Sequence, residues 1–146
     1  GHYQGIALME GYGTYMAQVA EVSMKDGTLT IHRITCAVDC GQMVNPNIVD
    51  QQIEGSILFG LTAALWGDIT LVRGEVQQRN FDSYRMLRLP EVPRIDVHLL
   101  ESGEAPGGVG EPGTAVVGPA LANAIFAATG KRLRSLPIAK QGIVTV

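Results

Sequence analysis

No basic surplus marks this chain: its 146 residues carry 11 Lys and Arg against 14 Asp and Glu, for a formal charge of -3. Nucleic-acid binders generally release phosphate counterions with an excess of positive charge, so no nucleic-acid partner is expected. Long apolar runs are missing as well. None reaches the roughly 18 residues that a membrane-spanning helix needs, and no transmembrane segment is expected. The first residues, Gly1-His2-Tyr3-Gln4, lack a basic region followed by an apolar stretch. A signal upstream of Gly1 stays open, and the compartment, cytoplasmic or exported, is not determined. Two cysteines say little about redox environment. Aromatic residues are few, with one Trp, four Tyr and three Phe, and no acidic residue follows Glu111.

What the chain does have is 46% hydrophobic and 17% charged residues, enough for one globular domain with its own core over residues 1–146. It shows no repeat, low-complexity tract or dividing linker. The 18 glycines cluster where backbone must turn tightly or come close to another group. Lys131, Arg132, Arg134 and Lys140 make the tail locally basic, which reads as a solvated or subunit-facing surface.

Strand-like alternation runs from Gly5 to Asp39. Tyr15, Ala17, Val19, Glu21 and Ser23 oppose Met16, Gln18, Ala20, Val22 and Met24; Lys25-Asp26-Gly27 supplies a turn, and Thr28 to Val38 returns. Asn45-Pro46 has the form of an N-cap followed by proline at the first helical position, and the apolar spacing predicts a helix to Trp66 with Gly67 as its stop. Arg73-Gly74 predicts a short hairpin between Ile69–Val72 and Glu75–Gln77, and Ile95 to Leu100 alternates as another strand. Ser102 to Gly113 is too rich in Gly and Pro for a regular element. Thr114 then predicts the cap of a helix from Ala115 to Thr129, stopped by Gly130. The fold class is α+β, with helices packed on antiparallel strands.

His32, Cys36 and Cys40 share one parity, which invites a metal reading, but four strand residues span roughly 13 Å at about 3.3 Å each. That is too far for ligands of one zinc and beyond the roughly 7 Å Cα limit of a disulfide. Free, partly buried thiols are expected, and no metal site. Gly108-Val109-Gly110-Glu111-Pro112-Gly113 matches the three-glycine dinucleotide pattern only literally. Glu101 to Gly107 separates it from the preceding strand, no acidic residue follows to hold a ribose, and Glu111 would repel a pyrophosphate.

Glu111 is the more informative residue. Proline at 112 biases it toward an extended backbone, Gly110 permits close approach of another group, and a helix N-terminus follows, which favours an anion. The loop can thus present one carboxylate at a fixed point, although an exposed turn acid fits the same pattern. Gln52 falls beside Val49 and Ile53 on the predicted helix, as either a surface amide or a buried one needing partners.

Three stretches together carry a resemblance: Ala37 to Pro46, Gln52 to Gly60, and Gly107 to Ile138 with its Gly-Gly-Val-Gly-Glu-Pro-Gly run. They resemble the molybdenum-binding large subunit of the xanthine dehydrogenase and aldehyde oxidase family of molybdenum hydroxylases, most closely its isoquinoline 1-oxidoreductase-like branch. The resemblance spans nearly the whole chain but only a C-terminal minority of that subunit. It implies a molybdopterin-binding domain in which Glu111 is the active-site base, Gln52 contacts the cofactor, and Val109 and Gly110 line it. It also implies hydroxylation of a carbon beside a ring nitrogen, or of an aldehyde carbon, with oxygen from water. The implied cofactor is molybdenum-molybdopterin cytosine dinucleotide. The implied partners are the remainder of the large subunit, a small iron-sulfur subunit, and a small heterocycle or aldehyde substrate. Supplying only one wall for so large a cofactor, the isolated chain is expected to bind none and to be inactive. The alternative is an orphan truncated domain serving as an interaction module without catalysis.

Overall fold

The computed structural model describes residues 1–145. Its main sheet opens with β1 (Tyr3–Gly11), β2 (Thr14–Lys25) and β3 (Thr28–Asp39), an antiparallel meander. Both tight turns place two successive residues at positive φ: Tyr12 (60) with Gly13 (72), and Asp26 (50) with Gly27 (79). That is the type I′ pattern, whose twist matches the flanking strands. Helix α1 (Pro46–Trp66) follows, then a two-stranded excursion, β4 (Leu71–Val72) and β5 (Glu75–Val76), turned by Arg73-Gly74 in the same way. The chain next returns as β6 (Arg94–Leu100), passes through the glycine-rich loop into α2 (Pro112–Thr129), and closes with β7 (Val144–Thr145).

The sheet is not wholly antiparallel. Both β6 and β7 pair with β3 in parallel, because the chain crosses over through α1 before it comes back, as parallel pairing requires. Strand order is β1-β2-β3-β6. Helix α2 lies on β1 and β2, and α1 packs on α2 and reaches β6.

The predicted caps of α1 are present. The Asn45 side chain accepts from the Ile48 amide at 3.2 Å, Pro46 occupies the first helical position, and the Gly67 amide closes on the Ala63 carbonyl. The core joins inward residues of β2 and β3 (Met16, Val22, Ile34, Val38) to Ile53, Ile57 and Leu61 of α1 and Val117, Leu121 and Ile125 of α2. Each such aliphatic side chain contributes about 1.5–3 kcal/mol on leaving water. Gly5 lets α2 sit directly on β1, since a Cβ there would run into the Ala120 and Ala124 backbone.

A register shift at Glu21/Val22 pairs Glu21 with Arg33 and Val22 with Ile31, leaving His32 as the extra residue. The bulge reverses parity: Leu29 faces inward before it, and Ile34, Cys36, Val38 and Cys40 after it. His32 therefore does not share a face with Cys36, contrary to the simple alternation. It bonds Ser23 at 2.8 Å instead and stacks on His2.

Candidate functional site

The glycine-rich loop has no regular structure, yet it is tied down along its length by partners distant in sequence. The Gln42 amide donates to the Glu104 carbonyl (2.9 Å), the Gly107 amide to Cys40 (2.8 Å) and the Gly108 amide to Tyr12 (2.8 Å). The Thr14 hydroxyl, fully buried, donates back to the Gly108 carbonyl at 2.8 Å. At the loop's start, Asp39 accepts from the Gly41 amide (3.0 Å) and the Ser102 hydroxyl (2.7 Å). Those bonds, the Gly41 amide first, hold its carboxyl below the usual carboxylate range. Gly107 is required by space, since a Cβ would enter the Gly13 carbonyl and the Thr14 hydroxyl.

The loop delivers Glu111 to the N-terminal end of α2. Two local expectations are corrected here. Helix α2 begins at Pro112 with Glu111 as its cap residue, not after a Thr114 cap. The Thr114 hydroxyl is committed elsewhere, donating to the Ser56 carbonyl of α1 at 3.0 Å. Glu111 is also not extended: its φ of -113 and ψ of -25 lie in the helical region. Its carbonyl accepts from the Thr114 amide (3.0 Å) and the Ala115 amide (3.4 Å), which outweighs the bias that Pro112 imposes. The Glu111 side chain makes no capping bond and is exposed.

Around Glu111 lies a pocket of about 360 Å³ lined by Tyr12, Phe59, Gly110, Thr114 and Ala115. Tyr12 and Phe59 are 58% and 65% exposed, so two aromatic rings flank the carboxylate without being packed away. Val109, half-buried, lines an adjacent hollow of about 320 Å³ with Cys40, Met43, Ile48 and Val49. Gln52 is exposed on α1, one turn before Ser56, and lines neither hollow. Of the four residues singled out from sequence, Gly110 and Glu111 meet in one pocket, Val109 sits next door, and Gln52 stands on the neighbouring helix.

Both cysteines are free and buried. Burial pushes the Cys36 thiol up to about 12 and raises that of Cys40, which keeps both protonated at neutral pH. Among the described residues no group of three or more His, Cys, Asp or Glu side chains could hold a metal ion. No helix among the described residues is long and apolar enough to cross a membrane.

Sequence reasoning missed Tyr12, Phe59 and Gln18. The first two are brought to Glu111 by a turn and a helix far from it in sequence. Gln18 did leave a signal, being the one amide in the inward set with Met16, Ala20 and Val22.

The sheet with its two stacked helices recurs as a segment of larger chains among solved molybdenum enzymes. Quinoline 2-oxidoreductase from Pseudomonas putida 86 matches it with a TM-score of 0.78 at 22% identity, over 86% of this chain and 17% of that one. Residues 3–93 match the family model of the molybdopterin cofactor-binding domain, and the chain belongs to that family. It is 41% identical over 136 residues to the isoquinoline 1-oxidoreductase subunit beta of Brevundimonas diminuta, covering 92% of this chain and 17% of that protein. It is 43% identical over 123 residues to the membrane-bound aldehyde dehydrogenase (pyrroloquinoline-quinone) of Gluconacetobacter polyoxogenes, covering 84% and 16%. The chain thus spans about a sixth of the length of these relatives.

Proposed function

We propose that this chain forms one wall of the active site of a molybdenum hydroxylase, with Glu111 as the general base. The observation that carries the reading is the exposed Glu111 carboxylate, held at the start of α2 by a loop pinned to the β1–β2 turn and the end of β3. The cofactor of this reading is a molybdopterin, taken in its cytosine dinucleotide form, and the open backbone at Gly110 gives it room. A Cβ at Gly110 would meet nothing within 4 Å, so the backbone beside Glu111 is open to close approach. When bound, the cofactor supplies the oxygen-transfer and two-electron chemistry. Glu111 takes the proton of the attacking water-derived hydroxyl, which requires it to stand within hydrogen-bond reach of that proton. Val109 and Gly110 line the cofactor, Gln52 contacts it from α1, and the Tyr12 and Phe59 rings flank a flat substrate, an N-heterocycle or an aldehyde.

The partners in this reading are the rest of the large subunit and a small iron-sulfur subunit. Val44 at 96% exposure, with Ile48 and Leu8 also exposed, gives such partners apolar surface to cover. The isolated chain, with one wall only, carries no stoichiometric molybdenum; elemental analysis finding near one metal per chain overturns that. An interaction module without catalysis is the competing reading, and one substitution separates them. In the complete enzyme, Glu111→Gln lowers turnover per bound molybdenum by about 10²- to 10⁴-fold while metal content stays normal. Near-normal turnover ends the assignment. Gln52→Ala instead lowers molybdenum occupancy, leaving activity per bound metal unchanged.

A further inference from the structure

Two residues after Glu111, the first turn of α2 meets a buried polar side chain of the sheet. Gln18 is fully buried in β2, and its Nε2 donates to the Gly113 carbonyl at 3.1 Å, two residues after Glu111. A weaker contact runs from the same nitrogen to Met16 Sδ at 3.4 Å. Its Oε1 is buried with no hydrogen-bond partner. A buried amide with half its capacity unused is a poor choice for stability, and an apolar side chain of similar volume avoids the desolvation. The amide's other polar contacts are with sulfur, Met16 Sδ and the Cys36 thiol, so the one bond it makes to an oxygen is that to the Gly113 carbonyl.

From the opposite side the same turn is held by α1. The Thr114 hydroxyl bonds the Ser56 carbonyl at 3.0 Å, and a Cβ at Gly113 would run into the Ser56 side chain. The turn that carries Glu111 is thus gripped between the sheet and α1. Gln18 is the sheet's polar contact with it.

We propose that Gln18 is a positioning residue for Glu111, setting the height and tilt of the first turn of α2 through the Gly113 carbonyl. The proposal rests on the reading of Glu111 as the base. Small displacements of a catalytic group are costly, since about 1 Å can lose on the order of 10²-fold in rate. A residue retained only for packing would act on stability and leave the rate per folded enzyme alone.

The test uses the complete, cofactor-loaded enzyme with Gln18→Met, which keeps the volume and removes the donor. The expected result is a kcat per bound molybdenum lowered about 10-fold or more, with KM, molybdenum content and melting temperature nearly unchanged. Amide hydrogen exchange supplies a readout independent of activity. Thr114 and Ala115, whose amides bond the Glu111 carbonyl, exchange faster in Gln18→Met, while amides in the middle of α2 do not. In a double variant with Glu111→Gln, the Gln18 substitution adds no further loss, because both act through one carboxylate. Unchanged kcat and unchanged exchange at Thr114 and Ala115 overturn the proposal. So does a failure of both Gln18→Met and Gln18→Leu to assemble, which makes the amide a plain structural requirement. Near-normal turnover of Glu111→Gln, by contrast, removes the base reading itself. The two failures are therefore distinguishable.

Discussion

Two long irregular stretches of this chain are built on opposite plans. In the loop from Ser102 to Glu111, most of the anchors come from far away in sequence: Asp39, Cys40 and Gln42 at the end of β3, and Tyr12 and Thr14 at the β1–β2 turn. In the excursion between α1 and β6, most bonds are local. The Gln77 amide meets Thr70, Arg79 meets Glu75 at 2.6 Å, and Arg85 meets Glu91 at 2.9 Å. Only a few contacts tie that excursion to the rest, among them the Leu87 amide on the Thr62 hydroxyl, Arg85 over the Trp66 ring, and Lys140 with Asp68. Irregular backbone fixed by distant partners can hold a charged group at a set point, whereas locally bonded backbone can shift as a unit. That contrast is what favours the first stretch, and Glu111 with it, in the function proposed above. The second, with Phe81 84% and Leu89 88% exposed, offers surface for contact.

The comparison can be broken most severely at Gly107. Gly107→Ala drives a Cβ into the Gly13 carbonyl and the Thr14 hydroxyl, and is expected to destabilise the chain by about 1–3 kcal/mol. Denaturant unfolding with no change in midpoint would mean that the loop is not seated as described. Next is Thr14→Ala, which removes a buried donor from the Gly108 carbonyl. Its expected cost is about 1 kcal/mol, together with a slower complete enzyme; full stability with full turnover would show that this anchor is idle.

A smaller effect should appear with pH. Because the Gly41 amide and the Ser102 hydroxyl lower the Asp39 pKa, its contribution is complete above the ordinary carboxylate value of about 3.9 and is lost as pH falls through the lowered folded value. Wild type should therefore exceed Asp39→Asn in stability at neutral pH, and the gap should close in acid. A gap that widens on acidification contradicts the sign. The smallest effect belongs to the excursion: Arg79→Ala breaks a pair whose side chains are 67% and 69% exposed, and should shift stability by no more than about 0.5 kcal/mol. A larger loss in thermal melting would show that this stretch is more firmly held than its local bonds imply.

By itself, the sequence determined most of the elements and marked Glu111 as a candidate. Asn45-Pro46 and Gly67 bound α1, Asp26-Gly27 and Arg73-Gly74 mark turns, and Gly130 ends α2 in the left-handed conformation, because caps and tight turns depend on residues a few positions apart. Glu111 stands out as a lone acid between Gly110 and Pro112 before a helix, a pattern that an exposed turn acid also fits, and its reading as a base comes from the family resemblance. The tertiary structure alone decided what depends on distant residues. It released Thr114 from capping by giving its hydroxyl to Ser56, turned His32 away from Cys36 at a bulge, and ran β6 parallel to β3. It also brought Tyr12 and Phe59 beside Glu111 and set Gln18 beneath the turn that carries it. Local spacing cannot encode these contacts, since each one exists only after the helices have packed on the sheet and distant hydrogen-bonding groups have had to find one another.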